Sequence, residues 1–160
     1  MKKLCLLLLV AAALGSCKKD SEPAPAATTK TDLLVAKNWR LSAQTATFTA
    51  LGTTNSRDEY ATYSSCQRDN FIKFNTNKTL IADEGPTKCN TSDPQTQNGT
   101  WDITSDYTKL TLVDPSQGSI PVQFDVVELT ATTMRLRNTI VTTVAGVSAT
   151  SVNDLTFTSF

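Results

Sequence analysis

Residues 70–85 read NFIKFNTNKTLIADEG. Apolar and polar residues alternate on both sides of residues 76–78, and those three supply turn chemistry. A period of two is the period of a half-buried strand, so the stretch predicts a β-hairpin. Pairing Phe74 with Leu80 and Ile72 with Ala82 puts all four on one face. The same register carries position 66 to a place opposite 88 or 89. Cys66 and Cys89 would then meet at the open end of the hairpin, and a bond between them would close a loop of about 24 residues, stabilising by roughly 3 kcal/mol.

Outward from the hairpin, the pattern repeats. Upstream, WRLSAQTATFTA reads as a strand with Trp39, Leu41 and Ala43 on one face. Residues 52–69 read as polar and irregular, and residues 85–98 as a loop. Downstream, GTWDIT and KLTLVD form the next pair, split by SDY. In IPVQFDVVELT the inward set Val122, Phe124, Val126 changes phase to Val127 and Leu129, which predicts a β-bulge. TMRLRNTIVTTV and VNDLTFTSF complete eight strands. Before the first strand, KTDLLVAKNW suits a short helix with Thr31 as N-cap and Leu33, Leu34 and Val35 as its apolar side. No helices interrupt the strands, so the fold class is all-β and antiparallel, with up-and-down connections. Eight strands suffice to close a barrel and remove the sheet edges; a sandwich has the same strand count.

Composition agrees. Threonine occurs 27 times among 160 residues and glycine only 6 times, a balance that favours strands. There are 15 basic and 15 acidic side chains. With no basic patch, the chain has no electrostatic footprint for nucleic acid.

The first residues carry a different message. Lys2 and Lys3 precede an apolar run over residues 4–14, followed by Gly15, Ser16 and Cys17. That is the layout of a secretory signal, and the run is too short to span a bilayer. L-G-S-C resembles the bacterial lipobox, in which the cysteine is lipidated and becomes the first mature residue. The expectation is a lipoprotein signal over residues 1–16, lipidation at Cys17 with palmitate-type acyl chains, and membrane association through that anchor. Each buried CH₂ of the chains contributes about 0.8 kcal/mol, and two or three chains together make release negligible. Lys18 after the cysteine resembles the sorting signal for the outer membrane, and KKDSE resembles a surface-export tag; the two faces of that membrane stay open. Removing Lys2 and Lys3 leaves 13 basic against 15 acidic side chains, a net charge of −2. Residues 17–29, rich in Pro and Ala, cannot bury a core and read as a tether with a flexible span of roughly 20 Å. Residues 30–160 form one domain. An exported domain lies in an oxidising compartment, which adds to the case for a Cys66–Cys89 disulfide.

Taken in order, LLVAKNW, C-x-x-D-N-F-I-K-F-N, a second Cys, N-G-T-W-D-I, K-L-T-L and V-V-E-L-T-A-T-T-M-R-L resemble the bacterial lipocalin-like lipoprotein domain over most of residues 30–160. The resemblance implies an eight-stranded lipocalin-like barrel with a short helix closing one end, Trp39 packed at the barrel base, and no enzyme activity. Where lipocalins usually carry Gly-x-Trp, this chain has Lys37-Asn38-Trp39.

The residues themselves also argue against catalysis. The chain has no histidine, which excludes Ser-His and Cys-His nucleophiles and the commonest general base. Asp83 and Glu84 are adjacent, face opposite sides of a strand and read as solvated charge. No metal site with ligand spacing of the EF-hand type is present, and nothing calls for a cofactor. Arg135 and Arg137 alternate with Met134 and Leu136 and so face solvent; covering Trp39 by a cation–π contact is the alternative. The candidate interior and ligand residues are Trp39, Phe74, Trp101, Phe124, Met134 and Leu136. The wider interior adds Leu41, Ile72, Leu80, Ile103, Leu110, Leu112, Leu155 and Phe157. Such a lining suits a small uncharged apolar ligand, and it also suits a barrel packed with its own side chains. The list leans towards a filled interior, with weak binding. Two functions follow: a lipid-anchored barrel of the cell envelope that binds a small apolar ligand, or a structural or protein-interaction module with a filled interior.

Overall fold

The computed structural model describes residues 28–113 and 119–160. The hairpin holds as read: β3 (Phe71–Phe74) and β4 (Thr79–Asp83) pair with Ile72 opposite Ala82 and Phe74 opposite Leu80. Around it lie β1 (Asn38–Ala50), β5 (Thr96–Ile103), β6 (Lys109–Val113), β7 (Pro121–Leu129), β8 (Thr133–Val144) and β9 (Val147–Ser159). From β3 to β9 each strand pairs antiparallel with the next, and β9 pairs back onto β1. The result is a closed eight-stranded barrel.

A ninth strand is present. β2 (Thr53–Asp58) pairs with the far half of β1, and residues 59–69 add a 3-10 turn (Tyr60–Thr62) and a short helix, α2 (Ser65–Arg68). The region was expected to be irregular, because TTNSRD has no apolar residue to set an alternation. Its side chains are all exposed, and the backbone ladder holds it instead. Hydroxyl pairs help, Thr47 with Ser56 at 3.1 Å and Thr49 with Thr54 at 2.9 Å.

Two bulges set which residues face inward. On β1 the register against β9 shifts between Leu41 and Ala43. Leu41 lies opposite the inward Phe157, but Ala43 lies opposite Thr156, so Ala43 leaves the face that Trp39 and Leu41 share. On β7 the shift falls between Val126 and Glu128. This is the bulge the sequence predicts, but Val127 is the extra residue and is exposed, while Leu129 returns to the core.

The helix α1 (Lys30–Val35) closes one end. Six residues cannot hold a helix alone. A capping box does part of the work, and its N-cap is Thr29 rather than Thr31. Asp32 thereby occupies the third helical position, accepts from the Thr29 backbone at 2.8 Å and lies opposite the Thr29 hydroxyl. These bonds hold the Asp32 carboxyl below its usual 3.8. Packing does the rest: Leu34 is buried against the barrel base, and the Trp39 indole donates to the Leu34 carbonyl at 2.9 Å.

The core lies at this closed end. Trp39, Phe74, Leu110, Met134 and Leu136 are essentially inaccessible, with Leu80, Trp101, Ile103, Leu129 and Phe157 around them. Phe74 and Trp101 meet edge to face, 5.4 Å between centroids, a geometry that adds about 0.5–1.5 kcal/mol to burial. The fourteen named interior residues belong to this core or pack against it; Val122, also read as inward, is exposed instead, because the β7–β8 ladder stops at Asp125 and leaves that end of β7 uncovered by β8. Arg135 and Arg137 face solvent: Arg137 pairs with Asp154 at 2.6 Å, and Arg135 lies 3.8 Å from Glu128. The cation–π contact falls on Trp101 instead, from Lys78 at 4.2 Å.

Candidate binding cavity

Above the Phe74–Leu80–Trp101 layer the inward side chains shrink. Ile72 faces Ala82, and Ala82 faces Gln97. Ala82 is too small to meet the opposite wall, and a cavity of about 200 Å³ remains. Trp39, Leu41, Ile72, Ala82 and Phe157 line its apolar part, with Phe71 and Pro94 at its edge. Gln67, Asn70, Asp83, Glu84, Gln95 and Gln97 line the rest.

The polar part is a built cap. It comes from two segments, residues 64–70 and 84–95, joined by the Cys66–Cys89 disulfide with Cα atoms 5.2 Å apart. With its amide assigned so that the nitrogen faces two carbonyl oxygens, Asn70 stitches the segments again, donating to the Cys66 carbonyl at 2.9 Å and to the Glu84 carbonyl at 2.8 Å. Asp83 Oδ1 accepts from the Gly85 amide and from Gln95 Nε2, each at 2.8 Å, and Gln95 also donates to the Gly85 carbonyl at 2.9 Å. Gly85 is required twice over. Its φ is +69°, and an added Cβ would come within 2.4 Å of the Asp69 carbonyl oxygen.

A second cleft, about 400 Å³, opens in the barrel wall where β7 and β8 diverge. Their ladder ends at Asp125 and Arg137, and the Asn138 amide bridges to the Gln123 carbonyl at 2.9 Å. It is larger, but its charges are already engaged: Lys109 pairs with Asp125, and Asp154 raises the Arg137 guanidinium by hydrogen bonding. The smaller cavity has the aromatic floor and the fixed polar cap, so it is the better candidate.

Of the six sequence candidates, only Trp39 lines this cavity. Phe74, Trp101, Met134 and Leu136 are core, and Phe124 lines the wall cleft. Cys17 lies outside the described residues. The six polar lining residues escaped sequence reading because they sit in irregular segments or at strand ends, where alternation carries no signal. Asp83 and Glu84, read as solvated charge, border the cavity and stay part-exposed. The one legible clue to the cap was the cysteine pair that flanks it.

An eight-stranded up-and-down barrel plugged by a helix at one end is either filled by its own side chains or leaves room for one small ligand, and here part of the interior beside Trp39 is open. The chain belongs to the lipocalin-like domain family, whose model matches residues 35–136. No curated protein matches it. The matched stretch ends within β8, and the closing strand β9 lies beyond it.

Proposed function

We propose that this protein is a non-enzymatic, lipid-anchored binding protein of the bacterial outer membrane that holds a small, mainly apolar molecule. The observation that carries the reading is the cavity floored by Trp39, Leu41, Ile72 and Phe157. Its size supports a small ligand: an apolar cavity of about 150 Å³ accepts benzene. The L-G-S-C motif, the basic residues after it and the Pro-Ala tether support anchorage at Cys17. A tether of roughly 20 Å would hold the barrel just clear of the membrane surface.

The test is titration with indole, followed by the methyl resonances of Ile72 and Ala82. Saturable shifts are expected, and Ala82→Phe, which fills the space, should remove them while the barrel stays folded. Shifts of equal size in Ala82→Phe would place binding elsewhere.

One observation favours the protein-interaction alternative. The outer halves of β1 and β8 leave Phe48, Ile140 and Val141 exposed. If those residues serve a partner, Ile140→Asp should abolish association and leave indole binding unchanged.

A further inference from the structure

The longer strands rise past the rim of the barrel. The ladder between β7 and β8 stops at Asp125 and Arg137, whereas β8 keeps pairing with β9 up to Val144. The far half of β1 pairs with β9 on one side and with β2 on the other. Beyond the rim the sheet is therefore a four-stranded apron, ordered β2-β1-β9-β8, with two edges.

The two edges are not alike. β2 is six residues long and ends in Arg57 and Asp58, and a short, charged edge resists pairing with another chain. The β8 edge has no such guard. At its base the Asn138 amide spans to the Gln123 carbonyl. Above that, residues 139–144 have no strand on their β7 side among the described residues. All six are β-branched, with no Pro and no charge. Every second residue of such an edge turns its N–H and C=O towards the open side. A row of unpaired main-chain donors and acceptors is completed by one kind of partner, another extended strand.

Charge narrows the partner. Residues 41–56 and 138–153, which build most of the apron, hold no Asp, Glu, Lys or Arg. At the chain's 19% charge, about six would be expected there. A charged strand gains nothing from such a surface, and an equally uncharged one meets no repulsion. Ile140 and Val141 stand on opposite faces of the edge, 51% and 63% exposed. Phe48 shares a row with Ile140 across Ser151.

We propose that a second copy of this chain supplies the strand, with the two β8 edges pairing antiparallel about a two-fold axis. This names the partner for the residues on which the protein-interaction alternative rests, and it is independent of the cavity. The pairing is self-complementary. Centred on Val141, it sets Ile140 opposite the partner's Thr142 and Thr139 opposite the partner's Thr143, β-branched against β-branched. It joins two aprons into one sheet and leaves only the guarded β2 edges, so assembly stops at two. The tether fits as well. Residues 17–29 lead into α1 at the closed end, and a two-fold normal to the apron carries both closed ends to the same height, within reach of one membrane.

The test compares the mature protein, solubilised in detergent, at low and high concentration. A single-edge contact lies at the small end of protein interfaces, so sedimentation should show a monomer giving way to a dimer as concentration rises. In the dimer, hydrogen exchange should slow at alternate amides of residues 139–144, while the amides of β2 exchange alike at both concentrations. Val141→Lys brings two ammonium groups together at the two-fold. It should raise the dimer dissociation constant by roughly tenfold or more, with partial rescue by salt and no change in the monomer's melting temperature. Monomer at every concentration, or a dimer that protects β2 instead, overturns the proposal. In the monomeric case Ile140→Asp separates the two readings. If it still abolishes association with a different protein, the interaction alternative stands without self-pairing; if it changes no association, both fall.

Discussion

At the scale of single residues, Phe74 and Ala82 show how two positions on neighbouring strands take opposite roles. Both face inward, as alternation requires. Phe74 is fully buried and edge-on to Trp101, whereas Ala82 borders empty space. Phe74→Ala should therefore cost about 3–5 kcal/mol, the cost of a large core truncation. It should also open a second apolar void beneath the natural one. Denaturant titration gives the first quantity. Indole binding gives the second, with an added weaker event expected beside the wild-type one. A loss below about 1 kcal/mol would mean that the closed end of the barrel is not packed as described. Alternation in NFIKFNTNKTLIADEG made the direction of both side chains legible. It could not say that one meets a tryptophan and the other a gap, because that depends on what β1, β5 and β9 bring to the same height.

At the scale of elements, the cap is the part most dependent on a covalent bond. Residues 64–70 and 84–95 hold few apolar side chains, and the disulfide joins them. Its loss by paired Cys66→Ala and Cys89→Ala should cost on the order of 2–4 kcal/mol. The loosening should also weaken cavity binding. Mass spectrometry of the exported protein should find no free thiol at either position. Free thiols there, or an unchanged unfolding midpoint in the double variant, would contradict the cap's role. The hairpin register made this pair legible, since the ladder that sets Phe74 opposite Leu80 points the flanking segments at each other. The strand β2 was not legible, because nothing in TTNSRD distinguishes a ladder-held polar strand from a loop. Neither was the face of Ala43, which a bulge of β1 against β9 reverses.

At the scale of the whole molecule, two expectations concern acid and membrane. Hydrogen bonds hold three carboxyls below the usual 3.8: Thr29 acts on Asp32, Lys78 on Asp102 and Thr104 on Asp106. A carboxyl that binds protons less readily when folded contributes stability above its unfolded pKa, and that contribution is lost as pH falls through the folded value. The melting temperature should thus be nearly flat above about pH 5 and fall below about pH 4. All three groups are exposed, so added salt should reduce the slope, most at Asp102, whose partner is an ammonium. A melting temperature that rises between pH 4 and pH 2 would contradict the assignment. For the membrane, Cys17→Ala should move the protein from the membrane fraction to the soluble one and abolish detergent partitioning. Unchanged partitioning of that variant would overturn lipid anchorage.

The amino-acid sequence by itself determined an antiparallel set of strands, its hairpin register, most of the interior residues and the cysteine pair. Those properties are local or nearly so: a strand's alternation declares its buried face, and a tight turn sets its neighbour's register. The tertiary structure alone decided where that interior is full and where it is hollow, and which polar residues line the hollow. A cavity is a relation among side chains contributed by β1, β3, β4, β5 and β9, at heights that bulges and closure adjust. No one segment's pattern contains that relation, so Ala82 reads as one more inward residue of β4 until the barrel closes and leaves a gap beside it.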